Sequence, residues 1–286
     1  MYIPEISEFP SFSLKRLLTT CFGFVGKDLN ACILIDLPDL QLMHDLAFLD
    51  ENSFQVQKYA KKYFLDPLLD GVANEVGYSC VDFLAFKTTG GSNLDPEDEV
   101  TDANGNVLSF EDDVCPKYDI ILAITDYSLT APLTAMAKVH DFRGATLHGV
   151  NDIILGSGLA VDYTTISEQA EVFRNTLDKT DSFELNFQIE DSSFTLNIEC
   201  NGQTAQKSHG LCPPGKPDIA NLPAGEVYFV PENASGSFPF RYSDGTLAEM
   251  VVVDGAIKKA IFISGDQTLI DERNLQLSED PATGII

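Results

Sequence analysis

The sequence predicts an α/β protein, in which an open, mostly parallel α/β sandwich is followed by a β-rich (α+β) domain. Two observations support this prediction. In the first half of the chain, short apolar runs alternate with helical patterns, which is typical of parallel strands joined by right-handed crossovers. After about residue 180, apolar and polar residues alternate one by one, which is typical of strands with one buried face. We therefore expect the sandwich domain over residues 1–180 and the β-rich domain over residues 181–286.

Four apolar runs in the first half predict buried strands, at residues 31–36, 81–86, 118–124 and 144–150. Helical spacing of apolar residues predicts the intervening helices, over residues 51–76, 131–140 and 163–180. Pro67 is expected to kink or break the first of these helices. Residues 88–117 are rich in Gly, Asn, Asp and Glu and predict an exposed acidic loop. A calcium site is disfavoured there, because Asp102–Asn106 lacks the ligand spacing of an EF-hand.

The second half opens with two strictly alternating segments, at residues 183–189 and 194–200, joined by a tight hairpin at Asp191–Ser193. Asp254-Gly255 marks a second hairpin, because this dipeptide readily adopts the left-handed conformations of two-residue turns. The remaining predicted strands lie at residues 226–230, 237–241, 247–253 and 256–262. The polar tail after residue 264 predicts a helix over residues 267–277.

The charge balance excludes several classes of partner. The 286 residues include 44 Asp and Glu against 18 Lys and Arg, a formal net charge of −26. Such a chain repels phosphate, so it is not expected to bind nucleic acid through a basic face or to dock on an anionic membrane surface. No run approaches the roughly 20 apolar residues that cross a bilayer. The charge is explained by solubility or salt adaptation, or by attraction of a cationic ligand.

The cysteines indicate a cytoplasmic protein with free thiols. The chain contains six, scattered without a C-x-x-C pair, and its first residues lack the basic and apolar regions of an export signal. Disulfides are rare in reducing compartments, so these cysteines are expected to be free. They are Cys21, Cys32, Cys80, Cys115, Cys200 and Cys212.

No motif of a common enzyme class is present. The chain lacks H-E-x-x-H, G-x-S-x-G, a phosphate-binding loop and a full dinucleotide-binding glycine pattern. Gly156-Ser-Gly158 follows an apolar run but lacks the third glycine of such a pattern. The four histidines, His44, His140, His148 and His209, have no paired spacing typical of zinc ligands, and structural roles are favoured for His140 and His148. We therefore predict no catalytic residue, no metal site and no cofactor.

Prolines and glycines are concentrated in residues 213–238, which predicts either a rigid connection between hairpins or a rim that offers backbone donors to a ligand. Within it, Asn221-Leu-Pro-Ala-Gly-Glu-Val-Tyr-Phe-Val-Pro231 and Ser235-Gly236 resemble the N-[ILM]-P-x-x-E-V-[FY]-x-[AS]-P segment of the thermophilic metallo-aminopeptidases, the aminopeptidase T and S family. Asp126-Tyr-Ser-Leu-Thr130 and Gly144-Ala-Thr146 resemble a turn and strand of the same family. The resemblance covers roughly residues 115–286 and implies an α/β domain followed by a β-rich domain with two metal ions.

The departures from the family pattern concern its metal ligands. Ser235 stands where the resemblance implies the first metal-binding glutamate, and Glu232 takes that place only if the alignment is shifted. The other implied ligands would follow the last residue of this sequence, so the chain resembles a family member without its metal-binding half. Pro281-Ala-Thr-Gly-Ile-Ile286 resembles the lead-in to the next ligand segment. A two-metal centre needs several bridging and terminal ligands, which these residues do not supply.

We therefore expect a catalytically inactive aminopeptidase-like protein that binds a peptide, for example a precursor or leader peptide, by adding it to a sheet edge and presents it to partner enzymes. The peptide-binding residues predicted for it are Glu226, Tyr228, Glu232, Asn233, Ser235 and Phe238. One alternative is a zinc- or cobalt-dependent aminopeptidase that releases N-terminal residues, with its missing ligands supplied by a partner chain or lying outside this sequence. A second is a structural partner in a homo- or heterodimer. A third is small-molecule binding at strand ends near Asp36 or Asp126-Tyr127.

Overall fold

The computed structural model of the chain describes residues 9–23, 28–189 and 191–285. The first residues, which lack the pattern of an export signal, therefore lie outside the described residues. Contacts divide the chain into two compact units. The first comprises Met1–Ala170 and Ser208–Glu226, and the second comprises Glu171–Lys207 and Val227–Ile286. The predicted α/β class is confirmed, and the boundary at residue 180 stays a prediction.

The strands, numbered in chain order, are β1 Leu29–Leu37, β2 Tyr78–Lys87, β3 Glu99–Asp102, β4 Val107–Ser109, β5 Ile120–Thr125, β6 Arg143–His148, β7 Ser182–Ile189, β8 Ser192–Glu199, β9 Gln206–Ser208, β10 Asp218–Asn221, β11 Glu226–Tyr228, β12 Asn233–Arg241, β13 Leu247–Val253 and β14 Ala256–Ser264. The α-helices are α1 Leu14–Phe22, α2 Gln55–Ala60, α3 Ala73–Val76, α4 Thr130–His140, α5 Asp152–Leu155, α6 Tyr163–Leu177 and α7 Gln267–Glu279. Further π-helical or 3-10 segments lie at Leu40–Asp50, Lys61–Leu65, Leu68–Val72, Phe110–Val114 and Pro281–Gly284. None of the helices in these described ranges has the length and apolar character to span a membrane.

Sheet A of the first unit has seven strands in the order β10-β6-β5-β1-β2-β3-β4. The pairs β10–β6, β6–β5, β5–β1 and β1–β2 are parallel, whereas β2–β3 and β3–β4 are antiparallel. The predicted mostly parallel sheet is therefore confirmed, together with its four predicted strands. The antiparallel pairs form one edge of the sheet, where the chain turns back twice.

Strand β1 shows why the apolar runs are continuous rather than alternating. Ile33 and Ile35 belong to a buried cluster on one face of sheet A, which also contains Phe64. Cys32 and Leu34 belong to a second buried cluster on the other face, which also contains residues of α4. Since successive side chains of a strand point to opposite faces, a sheet covered on both faces buries every residue of its central strand.

The segment 88–117 differs from the predicted exposed loop. It contains β3, β4 and the π-helical turn Phe110–Val114, and both Val100 and Phe110 are fully buried. Its carboxylates are largely exposed, as the acidic composition predicts. The few buried apolar side chains hold the segment in place. The carboxylate of Asp102 accepts hydrogen bonds from the backbone and side chains of Asn104 and Asn106, which closes this turn on itself.

Helix α1 and strand β10 are among the other elements of the first unit that were not predicted. Helix α1 begins after Ser13, whose hydroxyl caps the backbone nitrogen of Arg16, and it buries Leu17 and Leu18. Strand β10 comes from the proline-rich stretch and pairs with β6 at one end of sheet A. The stretch predicted as a connection therefore extends the first sheet.

Sheet B of the second unit is a five-stranded antiparallel sheet in the order β14-β13-β12-β8-β7. Both predicted hairpins are confirmed: β7 pairs with β8 from Ile189 and Ser192 onward, and Asp254 and Gly255 have positive φ angles between β13 and β14. Apolar residues of β12 and β13 form small buried clusters, one of which includes Ile270 of α7. The predicted C-terminal helix is confirmed, and it covers part of one sheet face.

Candidate functional site

Three of the predicted peptide-binding residues lie in the segment between β8 and β12 of sheet B. Glu226 and Tyr228 are the first and last residues of β11, which pairs with β9 in a separate two-stranded sheet. Both are exposed, and Tyr228 retains 52% of its accessible surface. Glu232 is exposed, and its backbone nitrogen donates a hydrogen bond to the carbonyl of Glu199.

The other three predicted residues lie on β12 but do not share a face. Asn233 and Ser235 point to one side of sheet B, and Phe238 points to the other, because side chains alternate along a strand. Phe238 packs against the apolar clusters of β13, including Met250. The oxygen of the Asn233 side chain accepts from the backbone nitrogen of Ala234. The structure thus brings Asn233 and Ser235 together and gives Phe238 a packing role.

Metal ligands are not clustered in the described residues. Across residues 9–23, 28–189 and 191–285, no three His, Cys, Asp or Glu side chains are arranged to hold an ion. All six cysteines are free, and all but Cys80 are buried. Burial raises the pKa of the Cys21 and Cys32 thiols well above the ordinary value, which keeps them protonated at neutral pH.

The most distinctive feature of the first unit is an incompletely paired strand. Strand β2 runs from Tyr78 to Lys87, but β3 pairs only with Leu84, Ala85 and Phe86. On that side, residues 78–83 have no strand partner within the described part of the chain. Within the unpaired stretch Ser79 to Asp82 are exposed or half-buried, whereas Tyr78 and Phe83 are buried. The amino-terminal half of β2 therefore presents a free edge.

A cavity of about 450 Å³ lies along this free edge. One wall is apolar and consists of Leu65, Leu69, Val81 and Phe83. Leu69 retains 63% of its accessible surface, so most of this side chain is open to solvent. The turn after β3, residues 102–106, closes one end. We call this cavity with the free half of β2 the β2 slot.

The opposite wall of the β2 slot is polar. Oδ2 of Asp82 accepts hydrogen bonds from Nζ of Lys117 at 2.8 Å and from the hydroxyl of Tyr118 at 2.6 Å. Partial burial favours the neutral carboxyl, but these two donors prevail and lower the pKa of Asp82. The Cys80 thiol contacts the same oxygen, and its pKa is raised by burial and by the Asp82 charge. Asp82 is thus an ionised acceptor whose Oδ1 takes no part in these bonds.

The strand-end residues of the third alternative also come together. Asp36 near the end of β1 and Asp126 just after β5 are linked by a hydrogen bond from the Asp126 nitrogen to Oδ1 of Asp36 at 2.9 Å. Gln57 of α2 contacts both carboxylates. Sequence reasoning placed the two acids at strand ends but missed Gln57. Its signal is spacing: Gln57, Ala60 and Phe64 lie on one helical stripe and all three are fully buried.

Comparison with known proteins gives a fold likeness. No protein-family model matches the chain, and no curated protein matches it. The solved structure of 2,5-dihydroxypyridine dioxygenase from Pseudomonas putida KT2440 is similar, with a TM-score of 0.54 and 9% sequence identity. The likeness covers 98% of this chain and 74% of the dioxygenase chain. At this identity it concerns the arrangement of the elements alone.

Proposed function

We propose that this protein binds an extended peptide as an added strand in the β2 slot. The observation that supports the proposal is the free half of β2 beside a cavity of about 450 Å³. Unpaired edge strands are the usual acceptors for peptides that bind by strand addition, since the main chain supplies affinity and alternate side chains supply specificity.

The length of the free edge sets the length of the peptide. Residues 79–83 offer five positions, which correspond to about 17 Å of extended chain at ~3.3 Å per residue. The bound segment would lie beside β2 in line with β3, and the turn at residues 102–106 would stop it at one end. A short internal segment of a longer peptide therefore fits as well as a free pentapeptide.

The two walls define the side chains of the peptide. Those that face Leu65 and Leu69 would be apolar, and the alternate ones would face Asp82. A donor such as a lysine or a hydroxyl suits the unused Oδ1 of Asp82. A net charge of −26 also attracts cationic segments over longer distances. We therefore propose a ligand of alternating apolar and basic residues.

The wider hypothesis from the resemblance is part of this proposal. It describes a catalytically inactive aminopeptidase-like chain that presents a precursor or leader peptide to partner enzymes in the cytoplasm, in agreement with its free thiols. The aminopeptidase and dimerisation alternatives stay predictions. Assay of the purified protein with zinc or cobalt and an aminoacyl chromogenic substrate distinguishes an aminopeptidase from an inactive peptide binder. Metal-dependent turnover would contradict the inactive peptide binder.

The test uses a fluorescein-labelled acetyl-Lys-Leu-Lys-Leu-Lys-amide titrated with the full chain. We expect a saturable rise in fluorescence anisotropy and slower amide hydrogen exchange over residues 79–83. A twin peptide N-methylated at alternate residues keeps the side chains but loses strand hydrogen bonds, so it should bind at least about tenfold more weakly. Equal binding of the twin would contradict strand addition.

A pair of variants locates the site. Leu69→Glu puts a charge on the apolar wall of the β2 slot and should weaken the peptide at least about tenfold. Val139→Glu adds the same charge at a residue of α4 that is 74% exposed, and it should leave the affinity unchanged. If both variants lower the affinity equally, or if protection falls on β7 instead of β2, the β2 slot is not the binding site.

A further inference from the structure

The centre of sheet A has the topology that creates ligand sites in α/β proteins. From the adjacent strands β1 and β5, the chain continues outward in opposite directions, through β2 on one side and β6 on the other. The connections therefore leave toward opposite faces and open a crevice at the carboxyl ends of β1 and β5. Asp36 and Asp126 stand at these two strand ends. This place is separate from the β2 slot, which lies along the edge of β2.

The amide nitrogen of Gln57 is surrounded by oxygen atoms at this crevice. Its Nε2 lies 2.9 Å from the carbonyl oxygen of Asp36, 3.0 Å from Oδ1 of Asp36 and 3.0 Å from Oδ2 of Asp126. An amide nitrogen carries two protons, so three acceptors share two hydrogen-bond donors. The amide of Gln57 alone therefore cannot satisfy all three acceptors, of which Oδ1 of Asp36 also accepts from the backbone nitrogen of Asp126.

The side-chain oxygen of Gln57 also lacks a hydrogen-bond donor. Gln57 is fully buried, yet its Oε1 has no hydrogen-bond partner among the described residues. A buried polar atom without a partner costs about 1–3 kcal/mol, so native proteins rarely leave one. Oε1 and Nε2 belong to the same planar amide, and Nε2 contacts both carboxylates. The oxygen without a partner therefore lies next to the acidic cluster.

The charges of the cluster determine what kind of donor fits. Burial raises the pKa of Asp36 to about 6, and the neighbouring Asp126 charge acts in the same direction. The Asp126 backbone nitrogen, Gln57 and the Thr88 hydroxyl donate hydrogen bonds that oppose this rise. At neutral pH Asp36 is thus largely ionised beside Asp126, and this negative charge excludes anions. A cation with several N–H donors meets both the charge and the surplus of acceptors.

We propose that the cluster of Asp36, Asp126 and Gln57 is a site for the primary ammonium group of a small organic ligand. The ammonium enters beside Asp126, which is exposed, and donates its three protons to Oδ1 of Asp36, Oδ2 of Asp126 and Oε1 of Gln57. Nε2 of Gln57 keeps its bond to the Asp36 carbonyl. The ring of Tyr127, 40% exposed and next in sequence to Asp126, offers an aromatic surface to the organic part of the ligand.

The test compares two cations that carry the same charge. In ¹⁵N-labelled protein at pH 7.5 and constant ionic strength, n-butylammonium chloride should shift the side-chain amide signals of Gln57 in a saturable way. Tetramethylammonium chloride has no N–H donor and should leave them in place. The signals are assigned by their loss in Gln57→Met. Equal shifts with both salts would overturn the proposal, because they would reflect only screening of the −26 charge.

Two further variants complete the test. Asp126→Asn keeps the shape of the exposed side chain but removes its charge, and it should weaken n-butylammonium at least about tenfold. Asp141→Asn removes the same charge from the end of α4, at a residue whose positive φ asparagine tolerates, and should bind as the parent does. Unchanged affinity in Asp126→Asn, or equal loss in both variants, would contradict the site. Peptide binding in the β2 slot is unaffected by either result.

Discussion

Strands β1 and β14 bury their residues in opposite ways. From Ala31 to Leu37 every residue of β1 is buried, whereas in β14 only Ala256 and Ala260 are. Sheet A is covered on both faces, so its central strand excludes water from both sides. In sheet B the apolar clusters involve alternate residues of the strands, and α7 contacts only part of them. Sheet A therefore concentrates the hydrophobic stabilisation, and sheet B leaves more apolar surface available for contacts.

The edges of the two sheets differ as well. At Ala260 the outer edge of β14 is covered by Asn274 of α7, whose side chain accepts from the Ala260 nitrogen and donates to the Ala260 carbonyl, both at 2.8 Å. This amide imitates the backbone of a neighbouring strand. The first half of β2 has no such cover within the described residues. Asn274 blocks the edge of β14, whereas a cavity lies along the free half of β2. Of these two edges, β2 is therefore the one that a partner strand can reach.

The largest effect is expected from truncating β1. Ile33→Ala removes a fully buried side chain between packed layers and should lower the free energy of unfolding by about 4 kcal/mol. Ile261→Ala in β14, where 38% of the side chain is exposed, should cost less than about 1 kcal/mol. Urea unfolding followed by circular dichroism measures both. If both variants lose the same free energy of unfolding, the side chain of Ile261 contributes as much as that of Ile33, and the exposed surface of β14 does not indicate weaker packing.

A smaller effect is expected from uncovering the β14 edge. Asn274→Ala leaves both backbone groups of Ala260 without their partner and should cost about 1–3 kcal/mol. Leu275→Ala changes the next residue of α7, which is 57% exposed, and should be nearly neutral. Faster amide exchange at Ala260 should accompany the first change alone. If exchange there is unaltered, Asn274 does not protect the edge.

Local patterns predicted most of the regular elements. The apolar run at 31–36 and the alternation of apolar and polar residues at 183–189 show which residues of each strand are buried. The bounds of β1 and β7 were therefore predicted to within two residues. Strands β3, β4 and β10 were missed because each has three or four residues and lies in polar or proline-rich sequence. Their stability comes from pairing with strands distant in sequence, for which local composition holds no signal.

The site was less accessible to sequence reasoning than the fold. Whether β2 has a free half depends on where β3 begins to pair, at Leu84 and Asp102, which is a non-local property. Phe238 was predicted as a peptide-binding residue, whereas the alternation of side chains along β12 packs its ring against the buried clusters of sheet B. Asp36 and Asp126 were predicted to lie at strand ends, since the carboxyl ends of parallel strands meet at one edge.

The smallest expected effect concerns the proton on Asp36. Its pKa is raised to about 6 by burial in the folded chain, from an ordinary value of 3.8. Between these values the folded chain binds more protons than the unfolded one, so this group makes the free energy of unfolding fall as pH rises from about 4 to 6. Asp36→Asn removes the titration while keeping the shape. Its stability relative to the parent should therefore rise by about 1 kcal/mol between pH 5 and pH 7. Ile261→Ala, which alters no charge near Asp36, should show no such change, and a pH-independent difference for Asp36→Asn would mean that the carboxyl is already ionised at pH 5.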